Sequence, residues 1–174
     1  MKKEDKKLIY LLLRYLSLVL IALVLLPLAY PILLNVTIYS SNFLINLVTH
    51  SQVNGSIISV GEYQIEIVSA CVASSAYFLL VLLNLSSSMT NKKRLLSIAF
   101  SLVLFLLVNV VRIFIFSLMY INNFRYFDIT HLVFWYIVSG VIVFLVWIAT
   151  IKAFKIRGIP FYSDLKEVYS NIKK

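Results

Sequence analysis

Three side chains in this sequence form a set that could cleave a peptide bond, namely Cys71, Arg112 and His131. A cysteine attacks a carbonyl group as the thiolate, and a neighbouring imidazole can take the thiol proton. A guanidinium group can stabilise the thiolate or the oxyanion that forms after the attack. These residue types are the ones that a cysteine peptidase or transpeptidase needs.

The cysteine content narrows the alternatives. Cys71 is the only cysteine of the chain, which excludes an intramolecular disulfide and a multi-cysteine metal site. A free cysteine is more often a small buried hydrophobic residue than a nucleophile, so close packing is the competing interpretation. The choice depends on where the fold places Cys71 relative to the other two side chains.

The composition indicates an integral membrane protein. Of the 174 residues, 61% are hydrophobic, and the mean hydropathy is +0.95. A soluble domain of this length cannot bury so much apolar surface, whereas a bilayer can cover it. The formal net charge of +9 does not indicate nucleic-acid binding, because the basic residues cluster beside apolar runs and form no interleaved basic face.

The predicted fold class is an all-α integral membrane protein, a single membrane domain over residues 1–174. Four apolar segments are long enough to cross the hydrocarbon core as helices. Their predicted bounds are 8–34, 70–89, 95–121 and 131–151. Pro27 and Pro31 lie one turn apart near the far end of the first segment and are expected to kink or end that helix.

The polar segment 35–69 is predicted to hold a small helix and a β-hairpin outside the membrane. Phe43, Leu44, Leu47 and Val48 recur at helical spacing, as in a short amphipathic helix on the membrane or the bundle. The stretches 57–60 and 63–67 contain β-branched residues and flank the turn Gly61-Glu62. This hairpin would lead the chain directly to Cys71.

The basic residues predict the orientation. Of the 16 lysine and arginine residues, 14 lie near the N-terminus, in the 91–94 loop or in the tail 152–174, and the other two are Arg112 and Arg125. The positive-inside rule therefore places both termini in the cytoplasm. The segment 35–69 and the 122–130 loop would then face the outside of the cell membrane.

Helix geometry predicts that the three reactive side chains lie at one depth. With a rise of about 1.5 Å per residue, Cys71 lies roughly 27 Å, Arg112 roughly 26 Å and His131 roughly 30 Å above the inner end of its helix. The hydrocarbon core is about 30 Å thick. Three helices would therefore bring a thiol, a guanidinium and an imidazole to one layer just inside the outer boundary.

Further side chains are candidates for a supporting role. Asn109 precedes Arg112 by three positions and shares its helix face, which favours an inward Arg112 over one that only snorkels to the headgroups. Asp128 could accept the ring N–H of His131, and Asp128 or Thr130 could cap the last helix. The small residues near Cys71, including Ser74, suit either close helix packing or a cavity for a substrate.

At these residues the chain resembles the exosortase/archaeosortase family of membrane cysteine transpeptidases. The resemblance covers roughly residues 55–140 and rests on the hairpin with Gly61, Ala70-Cys71, Asn109-Val110-Val111-Arg112 and His131. The family often has a glycine two residues after the cysteine, and this chain has Ala73 there. Many relatives have more membrane segments, and a few have arginine where His131 stands.

The resemblance implies a function as well as a fold. Cys71 would be the nucleophile, Arg112 the stabiliser of the thiolate or oxyanion, and His131 the general base and acid. The substrates would be secreted proteins with a C-terminal motif, a transmembrane segment and a basic tail. The enzyme would cleave this sorting signal at the outer face of the plasma membrane and transfer the new carboxyl end to a membrane lipid, with no cofactor and no metal.

Other functional classes remain as alternatives. A non-catalytic membrane scaffold would tolerate the loss of Cys71. A quinone-linked thiol oxidoreductase needs two thiols, which a single cysteine cannot supply. A zinc protease is disfavoured because His50 and His131 are the only histidines and no His-Glu-x-x-His motif occurs. A rhomboid-like serine site at Ser74 or Ser75 lacks a Gly-x-Ser-x-Gly context.

Overall fold

A computed structural model describes residues 3–87 and 89–156 of the chain. In chain order, the described elements are α1 (Lys3–Asn46), β1 (Gln52–Asn54), β2 (Ile57–Val60), β3 (Tyr63–Glu66), α2 (Ser69–Val72), α3 (Ser74–Ser86), α4 (Asn91–Ile121), α5 (Phe127–Val133), a π-helical segment (Phe134–Val138) and α6 (Ser139–Phe154).

The helical membrane fold is confirmed. Within the described ranges, four helical stretches are long and apolar enough to cross a membrane, namely Pro27–Asn46, Ser69–Ser86, Asn91–Ile121 and Phe127–Phe154. Many of their large apolar side chains are exposed to the surroundings, as expected of surfaces that face lipid. Of the predicted tail 152–174, residues 152–154 still belong to α6, and residues 157–174 lie outside the described part of the chain.

The first helix is longer than predicted. Helix α1 passes through Pro27 and Pro31 and continues to Asn46, so of the expected kink or end the end does not occur. Each proline removes one backbone hydrogen bond. In a lipid environment unfolding the following turns would expose many more unpaired backbone groups, so the helix persists. The short amphipathic helix predicted at Phe43, Leu44, Leu47 and Val48 is not a separate element, because Phe43 and Leu44 lie in the last turn of α1 and Leu47 and Val48 follow its end.

The predicted hairpin is confirmed and gains a third strand. Strands β1, β2 and β3 form an antiparallel sheet in that order, with β2 in the middle. The sheet packs on the end of α1 and on α2, because these elements share an apolar core. The buried members of this core are Ile38, Ile45, Ile58, Val60, Ile67, Val72 and Ile113.

Helix α4 lies at the centre of the bundle and contacts α1, α3 and α6. A second apolar core joins it to α3 and α6 around the edge-to-face pair Tyr77–Phe105, whose ring centroids are 4.8 Å apart. Nearer the end of α3, buried Asn84 accepts a 2.6 Å hydrogen bond from Ser97 Oγ and donates one of 3.3 Å to Ser101 Oγ. Such polar contacts fix the register of helices that lipid alone would not hold together.

The last membrane helix begins earlier than predicted and is locally unwound. Helix α5 begins at Phe127 with Tyr126 as its N-cap, so neither Asp128 nor Thr130 caps it, contrary to the expectation. After α5 the chain forms a π-helical turn at Phe134–Val138 before α6 begins. A π turn inserts an extra residue and rotates the helix that follows. The side chain of Ser139 therefore faces differently from that of a continuous α-helix.

Candidate active site

Cys71 lies on a single helical turn that connects the sheet to the second membrane helix. Its backbone N–H donates a 2.9 Å hydrogen bond to the carbonyl oxygen of Val68. The side chain is free and half-buried. Helix α2 ends at Ala73, whose φ of 54° and ψ of 42° are left-handed. This break separates the turn with Cys71 from α3 and directs the thiol away from that helix.

The left-handed conformation of Ala73 explains why glycine suits this position. A left-handed residue with a Cβ atom costs roughly 1–2 kcal/mol, whereas glycine adopts the conformation freely. Glycine is therefore the residue that this position favours, and it is the residue that the resembling family often has there. In this chain alanine occupies the left-handed position.

Asn109 holds the backbone of Cys71 in place. Its Nδ2 donates a 2.9 Å hydrogen bond to the carbonyl oxygen of Cys71, across 38 residues of sequence. The side chain is 2% exposed, and its Oδ1 has no hydrogen-bond partner among the described residues. The helix face shared by Asn109 and Arg112 is therefore turned toward the element that carries the thiol.

Arg112 is bonded to a neighbouring helix. Its Nη1 donates a 2.8 Å hydrogen bond to Ser139 Oγ at the start of α6. Arg112 also lines the same two cavities as Cys71. A buried cation in an apolar bundle is costly unless polar groups solvate it. The position of Arg112 therefore differs from that of an arginine that only snorkels to the headgroups.

Ser139 is a residue of the site that the sequence reasoning missed. Its Oγ donates a 2.8 Å hydrogen bond to the carbonyl oxygen of Phe134, five residues earlier, and accepts one from Arg112. The π turn creates this arrangement because it pairs residues five apart. The available signal was the pair Ser139-Gly140, the one small polar interruption of a long apolar run.

His131 is held by aromatic rings. The imidazole stacks on Phe127 with an interplanar angle of 9° and meets Phe116 edge to face, at centroid distances of 5.7 Å and 5.2 Å. Asp128 is exposed and makes no hydrogen bond to His131 within the described ranges, so the expected carboxylate partner is absent. Packing against these rings, and not a hydrogen bond from the imidazole to Asp128, sets the ring plane.

Cys71, Arg112 and His131 line one cavity of about 250 Å³. One wall of this cavity is the segment 64–68, which ends beside Cys71, and the opposite wall comes from α4 and α5. A smaller cavity of about 70 Å³ adjoins the same three residues together with Trp135. The fold therefore brings the predicted thiol, guanidinium and imidazole to a common space. In the sequence, 41 positions separate Cys71 from Arg112 and 19 separate Arg112 from His131.

A second groove lies on the other side of Arg112. It has a volume of about 540 Å³ and runs between the start of α3 and the start of α6. Ser74 lines this groove, along with other small residues, and does not line the cavity that contains Cys71. Arg112 lines both spaces.

Comparison with known proteins assigns the family. The family model described as transmembrane exosortase matches residues 6–152. No curated protein and no solved structure matches the chain. The match covers the sheet and nearly all of the four membrane-length helices, and it confirms the predicted resemblance to the exosortase family. The chain therefore belongs to the transmembrane exosortase family.

Proposed function

We propose that this protein is a membrane-embedded cysteine transpeptidase that cleaves the C-terminal sorting signals of secreted proteins. The observation that carries this proposal is the shared cavity of Cys71, Arg112 and His131. A thiol, an imidazole and a guanidinium around one space are the groups that acyl transfer through a thioester requires.

The first half-reaction forms an acyl-enzyme. His131 takes the thiol proton of Cys71, and the sulfur attacks the carbonyl carbon of the scissile peptide bond. Arg112 stabilises the negative charge that passes to the carbonyl oxygen. When the C–N bond breaks, the imidazolium of His131 gives its proton to the leaving amine, and the substrate remains bound to Cys71 as a thioester.

The second half-reaction releases the product. A hydroxyl or amine group attacks the thioester, His131 accepts its proton, and the C–S bond breaks to regenerate the Cys71 thiol. We infer that the acceptor is a membrane lipid, because the cavity lies among helices that a bilayer surrounds. Membership of the exosortase family supports the same proposal.

The orientation follows from charge. With the basic clusters in the cytoplasm, the sheet and the Cys71 cavity face the outside of the plasma membrane. A secreted protein that is still anchored by a C-terminal transmembrane segment and held by a basic tail would present its cleavage motif at this level.

The test uses Cys71→Ala and Cys71→Ser in cells that make a secreted protein with such a C-terminal signal. We expect processing to fall by at least about a thousandfold, because a hydroxyl or a methyl group cannot replace the thiolate. The measurement is the mass of the substrate's C-terminus. Added hydroxylamine should give a C-terminal hydroxamate only with intact Cys71, since it intercepts the thioester.

Histidine replacements provide a matched comparison in the same assay. His131→Gln should lower processing by about 100-fold or more, whereas His50→Gln, at an exposed position beyond α1, should not change it. Unchanged processing by Cys71→Ala at equal protein abundance would refute the proposal and favour a non-catalytic scaffold.

A further inference from the structure

Strand β3 has an unpaired edge beside the cavity. It pairs with β2 on one side only, because β2 is the middle strand and β1 lies beyond it. An edge strand offers a row of backbone donors and acceptors to another extended chain. At each residue of β3, the backbone N–H and C=O groups point either toward β2 or outward, and only the outward groups can bond to another chain.

The register identifies these groups. Ile67 N–H donates a 2.8 Å hydrogen bond to the carbonyl oxygen of Ser56, next to the pair Ile57–Glu66. Because bonded and non-bonded pairs alternate in an antiparallel ladder, Gln64 and Glu66 are non-bonded positions toward β2. Their N–H and C=O groups point away from the sheet, and none has a backbone partner within the described ranges.

The same residues form a wall of the candidate active site. Residues 64–68 line the cavity continuously and end at Cys71. The facing wall is formed by Phe116 and Tyr120 of α4 and by Phe127 and His131 of α5. The aromatic contact Tyr63–Tyr120 and the 2.8 Å hydrogen bond from Asn123 Nδ2 to Tyr63 Oη fix the far end of β3 to α4.

We infer that the donor polypeptide binds in an extended conformation along β3, as a fourth strand, and that this pairing delivers its scissile carbonyl to Cys71. This inference rests on the proposed function and names how its substrate is held. Main-chain hydrogen bonds to Gln64 and Glu66 supply affinity that does not depend on sequence. Side chains that alternate along the bound strand reach the aromatic wall.

An extended peptide fits this edge better than other occupants. Lipid chains have no donors and acceptors to match the outward groups of Gln64 and Glu66. A strand from a second copy would bring its own sheet, whereas α4 and α5 close the cavity on the side opposite β3. The remaining space, about 250 Å³, suits a single chain.

The experiment compares two alkylating reagents on the full-length protein in detergent. Acetyl-tetraalanyl chloromethyl ketone carries a peptide backbone, and iodoacetamide does not. Gln64→Pro removes an outward N–H without removing a hydrogen bond to β2. We expect it to slow alkylation of Cys71 by the peptide reagent about tenfold, the effect of one lost hydrogen bond of about 1.4 kcal/mol. The rate with iodoacetamide should not change.

The rate for Gln64→Pro is compared with that for Gln64→Ala, which removes the same side chain and keeps the N–H, so that the tenfold difference between the two variants reports the lost N–H alone. If Gln64→Pro does not fold, a peptide reagent with one ester in place of an amide tests the reciprocal hydrogen bond on the wild-type protein, the one that the peptide N–H would donate to an outward carbonyl oxygen of Gln64 or Glu66. The ester reagent should then lose about tenfold in rate relative to the amide reagent.

The outcomes separate this inference from the proposed function. Equal peptide-reagent rates for Gln64→Pro and Gln64→Ala, or for the ester and amide reagents, would overturn strand addition while leaving Cys71 as the nucleophile. If neither reagent alkylates wild-type Cys71, the proposed function fails and this inference fails with it. If Gln64→Pro converts a dimer to a monomer, the edge binds a second copy, and the peptide proposal is wrong.

Discussion

The bond between Arg112 and Ser139 decides how the guanidinium is oriented. The Ser139 hydroxyl accepts from Arg112 and donates to the carbonyl oxygen of Phe134, so it is itself held in one direction. A charge-assisted hydrogen bond of this kind contributes more than a neutral one. Ser139 is thus a positioning residue, because it reaches the reaction only through Arg112.

Arg112→Lys and Ser139→Ala should therefore impair processing to different degrees. Lysine keeps the charge but loses the planar fork, so we expect a fall of about 100-fold. Ser139→Ala should cost about tenfold, and Ser139→Thr should restore most of the rate. If Ser139 acts by orienting Arg112, Ser139→Ala should lower kcat and leave KM nearly unchanged, because the oriented charge stabilises the transition state more than the bound substrate.

Two matched variants control these measurements. Arg125→Lys makes the same exchange at an exposed residue in the 122–126 turn. Thr150→Ala removes another hydroxyl from α6, where Thr150 Oγ1 donates 2.8 Å to the carbonyl oxygen of Val146. Neither should change kcat. The positioning role would be wrong if Ser139→Ala and Thr150→Ala lowered kcat equally.

Single residues were predictable where their chemistry is intrinsic. Cys71, Arg112 and His131 were identifiable because a thiol, a charge and an imidazole are rare in apolar segments. Asp128 was assigned to His131 from spacing alone. The helix starts at Phe127 and turns this carboxylate to the exposed side, so spacing gave the wrong partner.

At the scale of elements, the junction between α2 and α3 places the nucleophile. Ala73→Gly should leave stability unchanged or raise it by up to about 1 kcal/mol, because relief of the left-handed strain outweighs or balances the added freedom of the unfolded chain. Ala73→Val should destabilise the protein by at least about 1 kcal/mol, since a β-branched side chain fits this conformation worse. Thermal unfolding in detergent measures both effects.

Ala99→Gly is the matched exchange in the regular interior of α4, where it should destabilise by about 0.5–1 kcal/mol. Opposite or clearly unequal effects of the two glycines would support the left-handed assignment. Equal losses at positions 73 and 99 would contradict it.

Elements were predictable to the extent that local patterns define them. Alternation and the Gly61-Glu62 turn predicted the hairpin. The structure adds β1, which the sequence did not predict because three residues are too few to show an alternating pattern. The prolines of α1 predicted an end that does not occur. In a soluble protein the backbone groups freed where a helix ends at a proline can bond to water. In lipid they would stay unpaired, so the helix continues through the proline.

At the scale of the whole molecule, the basic clusters predict which side the Cys71 cavity faces. Cys71→Ala supplies a cysteine-free background for labelling. In intact cells a membrane-impermeant maleimide should label Glu62→Cys, in the β2–β3 turn, and should not label Thr90→Cys before α4. Both should be labelled after the membrane is permeabilised. Labelling of Thr90→Cys alone in intact cells would reverse the orientation.

The sequence by itself determined the properties that short stretches carry. These are the four apolar segments, the hairpin, the charge asymmetry and the presence of a thiol, a guanidinium and an imidazole near one depth. Burial of apolar side chains and strand alternation act within a few residues, so a sequence pattern records them. The match to the transmembrane exosortase family agrees with the membrane fold predicted from these patterns.

Only the tertiary structure decided how those residues meet. The Asn109 contact with Cys71 spans 38 residues, and the Arg112 contact with Ser139 spans 27. The free edge of β3 faces the cavity because α4 and α5 pack opposite it. Such relations depend on helix rotation, on one π turn and on one left-handed residue. Each of these changes a direction without leaving a periodic signal in the sequence.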